Sequence, residues 1–293
     1  MRMGSMPRCV EGIAEVGPLR YLKKEQHMRP LKVGIVGYGR AGKTAALEVI
    51  KDPELRLSWI ARRDWTGAAD LTTQGGAKTL HFEGHDITAL ETRELSDRSR
   101  MRHHRVDLVV DLAGSEAIRS YAHLAVYGTR FVSAVSHYEP ADLAILQAVA
   151  RETAVLHSPN ITLGINLLLV VARMLRKLIP QADVQILEEH FAAKDGRSGT
   201  AERLAAILGL EPDLAIRSIR AGGIIGKHEL IFGLPNQTIR LVHESINRAA
   251  FARGALLAGK WLRDAEPDFY TMEKLVMRRV RSGFLADLEE EGA

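Results

Sequence analysis

The sequence predicts an α/β chain in two parts: a parallel sheet wrapped by helices, then an α+β unit with a mixed or antiparallel sheet. Short apolar strands alternate with helices from Leu31 to His157, the pattern of a doubly wound sheet. Beyond residue 208, three strand-like runs follow one another with no helix between them, which a parallel sheet does not allow. The 293 residues suffice for about two domains. A composition that is 46% hydrophobic and 26% charged is that of a soluble globular chain with a sizeable core. It excludes a disordered chain, a collagen-like repeat and a disulfide-stapled miniprotein.

In chain order, residues 1–30 hold scattered Gly and Pro, no sustained period and no secretory signal pattern, so they read as a poorly ordered extension. Leu31–Val36 is a short buried strand, closed by Gly37-Tyr38-Gly39. Ala41–Lys51 is a helix stopped by Asp52-Pro53. Leu55–Ala61 and Val106–Leu112 are strands, and Ala117–Tyr127 is a helix ending at Gly128. Phe131–Val135 (strand), Ala141–Thr153 (helix) and Ala154–His157 (strand) complete the alternation. Leu163–Ile179 is a long helix, Asp183–Glu189 a strand and Thr200–Leu208 a helix. The three consecutive strands are Ala215–Ala221, Ile224–Phe232 and Thr238–Ser245, with Gly233–Asn236 as the last turn. Ala249–Leu262 is a helix, and the acidic Asp287–Ala293 is expected to be loose.

No run reaches the roughly 18 apolar residues of a membrane span. Cys9 is the single cysteine, so no intrachain disulfide forms, which suits a reducing, cytoplasmic setting. Forty Lys+Arg against 36 Asp+Glu leave a net charge of +4, too small to argue for nucleic acid and compatible with anionic small molecules. The basic run Arg98–Arg105 has no interleaved aromatic and reads as a solvated loop. His103-His104 lacks companions at ligand spacing, so no metal is expected.

Gly37-Tyr38-Gly39-Arg40-Ala41-Gly42 fits Gly-x-Gly-x-x-Gly between a strand and a helix, the Rossmann dinucleotide loop. Gly37 makes the turn, Gly39 admits a pyrophosphate, Gly42 packs helix on strand, and the free amides around Arg40 and Ala41 face the phosphates. The same loop, extended through Lys43-Thr44, also spells a P-loop, with Asp111 placed to hold magnesium. The second strand ends in Arg62-Arg63, about twenty residues on, where an arginine pair holds a 2′-phosphate. NADPH is therefore expected over NADH, though Asp64 keeps a ribose-binding acid, and so NADH, possible.

Glu188 to Ala201 reads EEHFAAKDGRSGTA: a strand ending in His190, a cation at Lys194, and a small-residue loop opening a helix. It offers an acid that titrates near neutral pH, a fixed positive charge and an anion cradle at Ser198-Gly199-Thr200. This stretch resembles the signature of the dihydrodipicolinate reductase family, Glu-x-His-His-x-x-Lys-x-Asp-x-Pro-Ser-Gly-Thr-Ala. Ser158 to Asn166 (SPNITLGIN), Ile219 to His228 (IRAGGIIGKH), Phe251 to Ala255 (FARGA) and Phe269 to Met272 (FYTM) are similar to further segments of that family, in order.

The resemblance implies a Rossmann domain over 31–157 plus about 263–285, and a substrate-binding and oligomerisation domain over 158–262, the whole a homotetramer. It implies reduction of a cyclic unsaturated dicarboxylate of the lysine and diaminopimelate route, with His190 as acid/base and Lys194 as its partner. Ser198, Gly199 and Thr200 then hold a substrate carboxylate, while Ala134, Ser136, Ser158 and Asn160 line the nicotinamide side. It also places Lys43-Thr44 inside a helix, against a P-loop. Arg62, Arg63, Lys194 and Arg197 are expected to face anions. The chain departs from the family pattern at Phe191, at Arg197, and at Ala134-Val135-Ser136-His137 in place of Gly-Thr-Thr-Gly. His137 and Tyr138 either bond a different substrate or cap their strand. The alternatives left open are reduction of another cyclic imine-like acid and a dinucleotide-binding regulatory protein without turnover.

Overall fold

The structure, a computed structural model, describes residues 29–291; the expected extension and Cys9 fall almost wholly outside that range. Strand β1 (Leu31–Val36) is buried everywhere but Lys32, because β2 (Leu55–Arg62) and β6 (Leu108–Asp111) flank it in parallel and helices cover both faces. Helix α1 (Arg40–Lys51) between β1 and β2 turns Ala45, Ala46 and Val49 inward. Between β2 and β6 lies an antiparallel meander that the sequence pattern did not announce: β3 (Leu71–Gln74), β4 (Ala77–Phe82) and β5 (His85–Glu91). Its two-residue turns, Gly75-Gly76 and Glu83-Gly84, have positive φ at both positions, matching the strand twist. Strand β5 joins β2 in parallel.

The basic run is not wholly a loop. Arg98–Met101 forms a helical turn, α2, because the Asp97 carboxylate accepts the Ser99 and Arg100 amides and Met101 is buried. The helix expected over 117–127 is broken instead: α3 (Ile118–Tyr121) lies between 3₁₀ turns, and Gly128 closes it at φ +76°. Strand β7 (Arg130–Ser133), helix α4 (Pro140–Val149) and strand β8 (Ala154–His157) follow as anticipated.

In the second half, α5 (Leu163–Leu178), β9 (Asp183–His190), α6 (Gly199–Leu208), α7 (Pro212–Ala215), β10 (Ile216–Arg220), β11 (Lys227–Leu234) and β12 (Gln237–Glu244) come in order. The sheet order is β10-β9-β11-β12, with β10 parallel to β9 and the other pairs antiparallel, a mixed sheet as predicted. Alternate residues Val184, Ile186, Leu230 and Phe232 pack one face against Ile165, Leu168 and Leu169 of α5 and Leu204 of α6. Helix α8 (Ala249–Trp261) lies against the first sheet, with the Gly259 Cα beside Leu108. Strand β13 (Asp268–Tyr270) pairs with β8 in parallel, so the chain returns to the first sheet, whose order is β13-β8-β7-β6-β1-β2-β5-β4-β3. Helix α9 (Met272–Glu291) runs through most of the acidic end that was expected to be loose.

Candidate active site

The strand order reverses between β1 and β6, and ligands of open α/β sheets bind at the carboxyl ends beside such a reversal. There the glycine loop is built as its spacing demands. Gly37 has φ +98°, and a Cβ on Gly42 would lie 1.9 Å from the Gly37 carbonyl oxygen, so only glycine lets α1 approach. A Cβ on Gly39 would meet nothing within 4 Å. Gly39 faces a cleft of about 550 Å³ that Arg62 and Arg63 also line, and α1 begins there with no side-chain cap. Open space at Gly39 and the start of α1 without a side-chain cap suit a dinucleotide pyrophosphate, and Arg62 and Arg63 line the same cleft.

A P-loop does not fit. Thr44 Oγ1 donates to the Arg40 carbonyl (2.9 Å), and the Lys43 ammonium lies over the Tyr38 ring. Asp111 is buried, accepting from the Tyr121 hydroxyl (2.6 Å) and the Ala113 amide (2.9 Å), and burial pushes its carboxyl up to about 6. The arginine pair is split. Arg62 lies over the Trp65 ring (5.4 Å) and takes part in no ion pair among the described residues, whereas Arg63 donates to Glu116 (2.7 Å). Asp64 accepts from the Thr66 amide and hydroxyl, bonds that hold its carboxyl below the usual range and spend it in its own turn.

A second cavity, about 730 Å³, gathers most of the remaining expected residues: Ser136, Ser158, Asn160, His190, Lys194 and the Ser198–Thr200 loop. Ala134 lines a smaller, largely apolar cavity with Ala41, which shares Leu112 with the glycine cleft and Pro159 and Phe251 with the large cavity. Tyr138 is decided by burial. Its hydroxyl bonds Ser133 Oγ (2.9 Å) and its ring stands edge-on to His157, so it caps the strand, while His137 is exposed.

His190 ends β9, only 8% exposed, with Nδ1 hydrogen-bonded to Glu188 Oε2. Glu188 is fully buried; burial alone would raise its carboxyl, yet bonds from Arg220, Ser218 and His190 bring it down to about 2. Lys194 lines the cavity and takes part in no ion pair among the described residues. Ser198 caps α6 by position only: its hydroxyl bonds His228 Nε2 (3.0 Å), which leaves the first amides of the helix without a side-chain partner. His228 is pushed down to about 4, by burial first and then by its cationic and imidazole neighbours. Asn160 Nδ2 donates to Thr200 Oγ1 (3.1 Å) and its Oδ1 accepts from Thr162, so this side chain ties the β8 loop to α6. Ser158 Oγ in turn donates to the Asn160 carbonyl (2.7 Å).

One expected cation is elsewhere: Arg197 turns to Asp213 (2.5 Å) and does not line the cavity. Arg203, which motif reasoning passed over, does: paired with Glu273 (2.5 Å), it lines the cavity together with Phe191. Behind the cavity, Arg220 grips Glu188. Glu188 and His190 lie two apart on one face of β9, and Arg220 is in register with His190, a neighbourhood that exists only once β9 and β10 pair. Among the described residues, no group of three or more His, Cys, Asp or Glu side chains is placed to hold a metal, and no helix is long and apolar enough to cross a membrane.

Residues 164–276 match the family model described as dihydrodipicolinate reductase, C-terminus. The chain is 32% identical over 184 residues to a 4-hydroxy-tetrahydrodipicolinate reductase of Rickettsia bellii, covering 57% of this chain and 74% of the relative. It is 28% identical over 271 residues to the Myxococcus xanthus enzyme of that name, covering 84% and 96%. The fold is similar to that of dipicolinate-bound dihydrodipicolinate reductase from Paenisporosarcina sp. TG-14, with a TM-score of 0.67 at 21% identity, over 83% of this chain and 97% of the other. With the glycine loop, the His190–Lys194 spacing and the mixed sheet all in place, the chain belongs to the 4-hydroxy-tetrahydrodipicolinate reductase family.

Proposed function

We propose that this oxidoreductase reduces a cyclic unsaturated dicarboxylate of the dihydrodipicolinate type, in the route to diaminopimelate and lysine, with NADPH as the preferred donor. The observation that carries the reading is convergence: an oriented imidazole, a cation without a carboxylate partner among the described residues and a helix N-terminus with no side-chain cap open onto one cavity. Shared lining residues link that cavity to the cleft at Gly39, a path along which an extended dinucleotide fits.

The nicotinamide supplies a hydride when bound. The electron pair that reaches the substrate ring needs one proton to balance it, which His190 Nε2 delivers in the imidazolium form. Lys194 stabilises the negative charge as it develops. Ser198, Gly199 and Thr200 receive one substrate carboxylate through backbone amides and hydroxyls. Pro159, Ile161 and Phe251 line a cavity where they would keep water from a bound nicotinamide. At the other end, Arg62 lines the glycine cleft, suits a 2′-phosphate and has no carboxylate partner among the described residues.

Synthase-generated dihydrodipicolinate with NADPH is the direct test. Oxidation of NADPH supports the reading; none, with NADPH binding intact, eliminates it. Phe191 favours a second reading, because a cavity-lining phenyl stands where the resemblance expects a second histidine. A related cyclic imine-like acid with a less polar edge would then be turned over instead, and cofactor binding with no turnover of either would mark a regulatory protein. We also propose a homotetramer, built on the outer face of the second sheet, where Ile219 and Val242 are exposed. Light scattering that shows a monomer would remove it. Cysteine usage supports a cytoplasmic setting, which cell fractionation tests.

A further inference from the structure

Behind the cavity a single carboxylate accepts four hydrogen bonds from three side chains. Glu188 Oε1 accepts from Ser218 Oγ (2.6 Å) and Arg220 Nη2 (2.6 Å), while Oε2 accepts from Arg220 Nη1 (2.9 Å) and His190 Nδ1. A carboxylate gripped on both oxygens by a guanidinium cannot rotate, so the oxygen offered to His190 is fixed. Glu188 is ionised at neutral pH and has no proton to give, which puts the hydrogen on Nδ1 and leaves Nε2 for the cavity. Gly226 makes room for that nitrogen: a Cβ there would sit 3.1 Å from Nε2. The His228 ring, edge-on to His190 at 5.3 Å, is uncharged at neutral pH and does not compete.

Arg220 does more than neutralise Glu188. Its Nε donates to the Lys194 carbonyl (3.2 Å) and its Nη2 to the Gly196 carbonyl (2.6 Å). One guanidinium therefore joins the partner of His190 to the backbone that carries Lys194 and leads into Ser198.

We infer that Glu188 and Arg220 are the positioning residues of this site: Glu188 holds the His190 ring with Nε2 toward the substrate, and Arg220 locks the Lys194 loop at a set distance from that ring. The inference rests on the proposed roles of His190 and Lys194 and adds the residues through which they are held.

The test combines ¹⁵N NMR of the His190 ring in the free protein with steady-state kinetics on dihydrodipicolinate and NADPH. In Glu188→Gln, Arg220 and Ser218 keep the amide oxygen, so the amide nitrogen faces His190 and the ring loses its Nδ1–H preference. The expected result is a kcat lower by at least about tenfold, part of the roughly 10²- to 10⁴-fold that a positioned acid contributes, with KM for NADPH unchanged. Where that variant does not fold, Glu188→Asp, which preserves the charge pair but withdraws the carboxylate from Nδ1, is read in the same way. Arg220→Lys keeps a cation and loses the loop bridge, so it should weaken kcat/KM for the dicarboxylate while the His190 tautomer stays that of the wild type. Wild-type tautomer and kcat in the folded Glu188 variant would overturn the role of Glu188; unchanged kcat/KM in Arg220→Lys would overturn that of Arg220. Because the tautomer is read without substrate, an inactive wild type would sink the proposed reaction and still leave Glu188 to be judged by the NMR.

Discussion

At Arg62 and His190 a single side chain meets a single chemical demand. Arg62 rests on Trp65 with no carboxylate partner among the described residues, so its charge is available to a 2′-phosphate. Arg62→Glu replaces that attraction with repulsion. Titration calorimetry should then show NADPH affinity falling toward that of NADH, by about tenfold for each 1.4 kcal/mol lost. Equal affinities in the unmutated protein would remove Arg62 from recognition. If His190 delivers the proton as proposed, His190→Ala should lower kcat by roughly 10²- to 10⁴-fold and leave NADPH affinity nearly unchanged. A wild-type rate would take His190 out of the reaction. The positions of both residues on cavity walls were legible in the sequence, because each ends a strand next to a motif. Glu188 was printed beside His190 yet gave no signal by itself, since its importance depends on Arg220 and Ser218, some thirty residues away and adjacent only once β9 and β10 pair.

At the scale of elements, buried strands and glycine spacing were the readable parts. The run Val33, Ile35, Val36 has no solvated face, and only a central strand buries such a run on both sides. Strands β3 and β4 escaped because Leu80 is their one buried residue, so no apolar alternation marked them, and β5 buries only Ile87, Ala89 and Leu90. Their signal lay in the turns, with Gly75-Gly76 two residues long between polar flanks. Arg98–Met101 was obscured by its charge, although Asp97 before Ser99 and Arg100 is a helix start. The join of β1 to α1 is the most exacting element. In Gly42→Ala, the new methyl would meet the Gly37 carbonyl oxygen at 1.9 Å, a backbone atom that cannot swing aside. The cost is about 1–3 kcal/mol or more, and the displaced loop should weaken NADPH binding as well. Urea unfolding and cofactor titration on this variant check both, and wild-type values in each would show that α1 can slide outward freely.

Across the whole molecule, burial sets how stability responds to acid. His104, His123, His157, His228 and His243 are all held below the ordinary imidazole value, with burial as the leading cause in each. In that range the unfolded chain binds protons that the folded chain refuses. Their contribution is therefore complete above about pH 6.5 and is lost as pH falls toward the folded values, about 4 for His228. Asp111 works in the opposite direction. Its folded value is raised to about 6, so its contribution is greatest at low pH and is lost as pH rises through that value. Five histidines outweigh one aspartate, and the net slope between pH 7 and 5 should favour neutral conditions. Below about pH 4.5 the depressed carboxyl of Glu188 adds to the loss, because its stabilisation disappears as pH falls toward about 2. Urea midpoints should accordingly drop from pH 7 to 5 and fall more steeply below that. Asp111→Asn, which removes the opposing group, should steepen the decline between pH 6 and 5. A midpoint that stays level from pH 7 to 5, or one that rises, would show that these imidazoles reach solvent and protonate in the folded state.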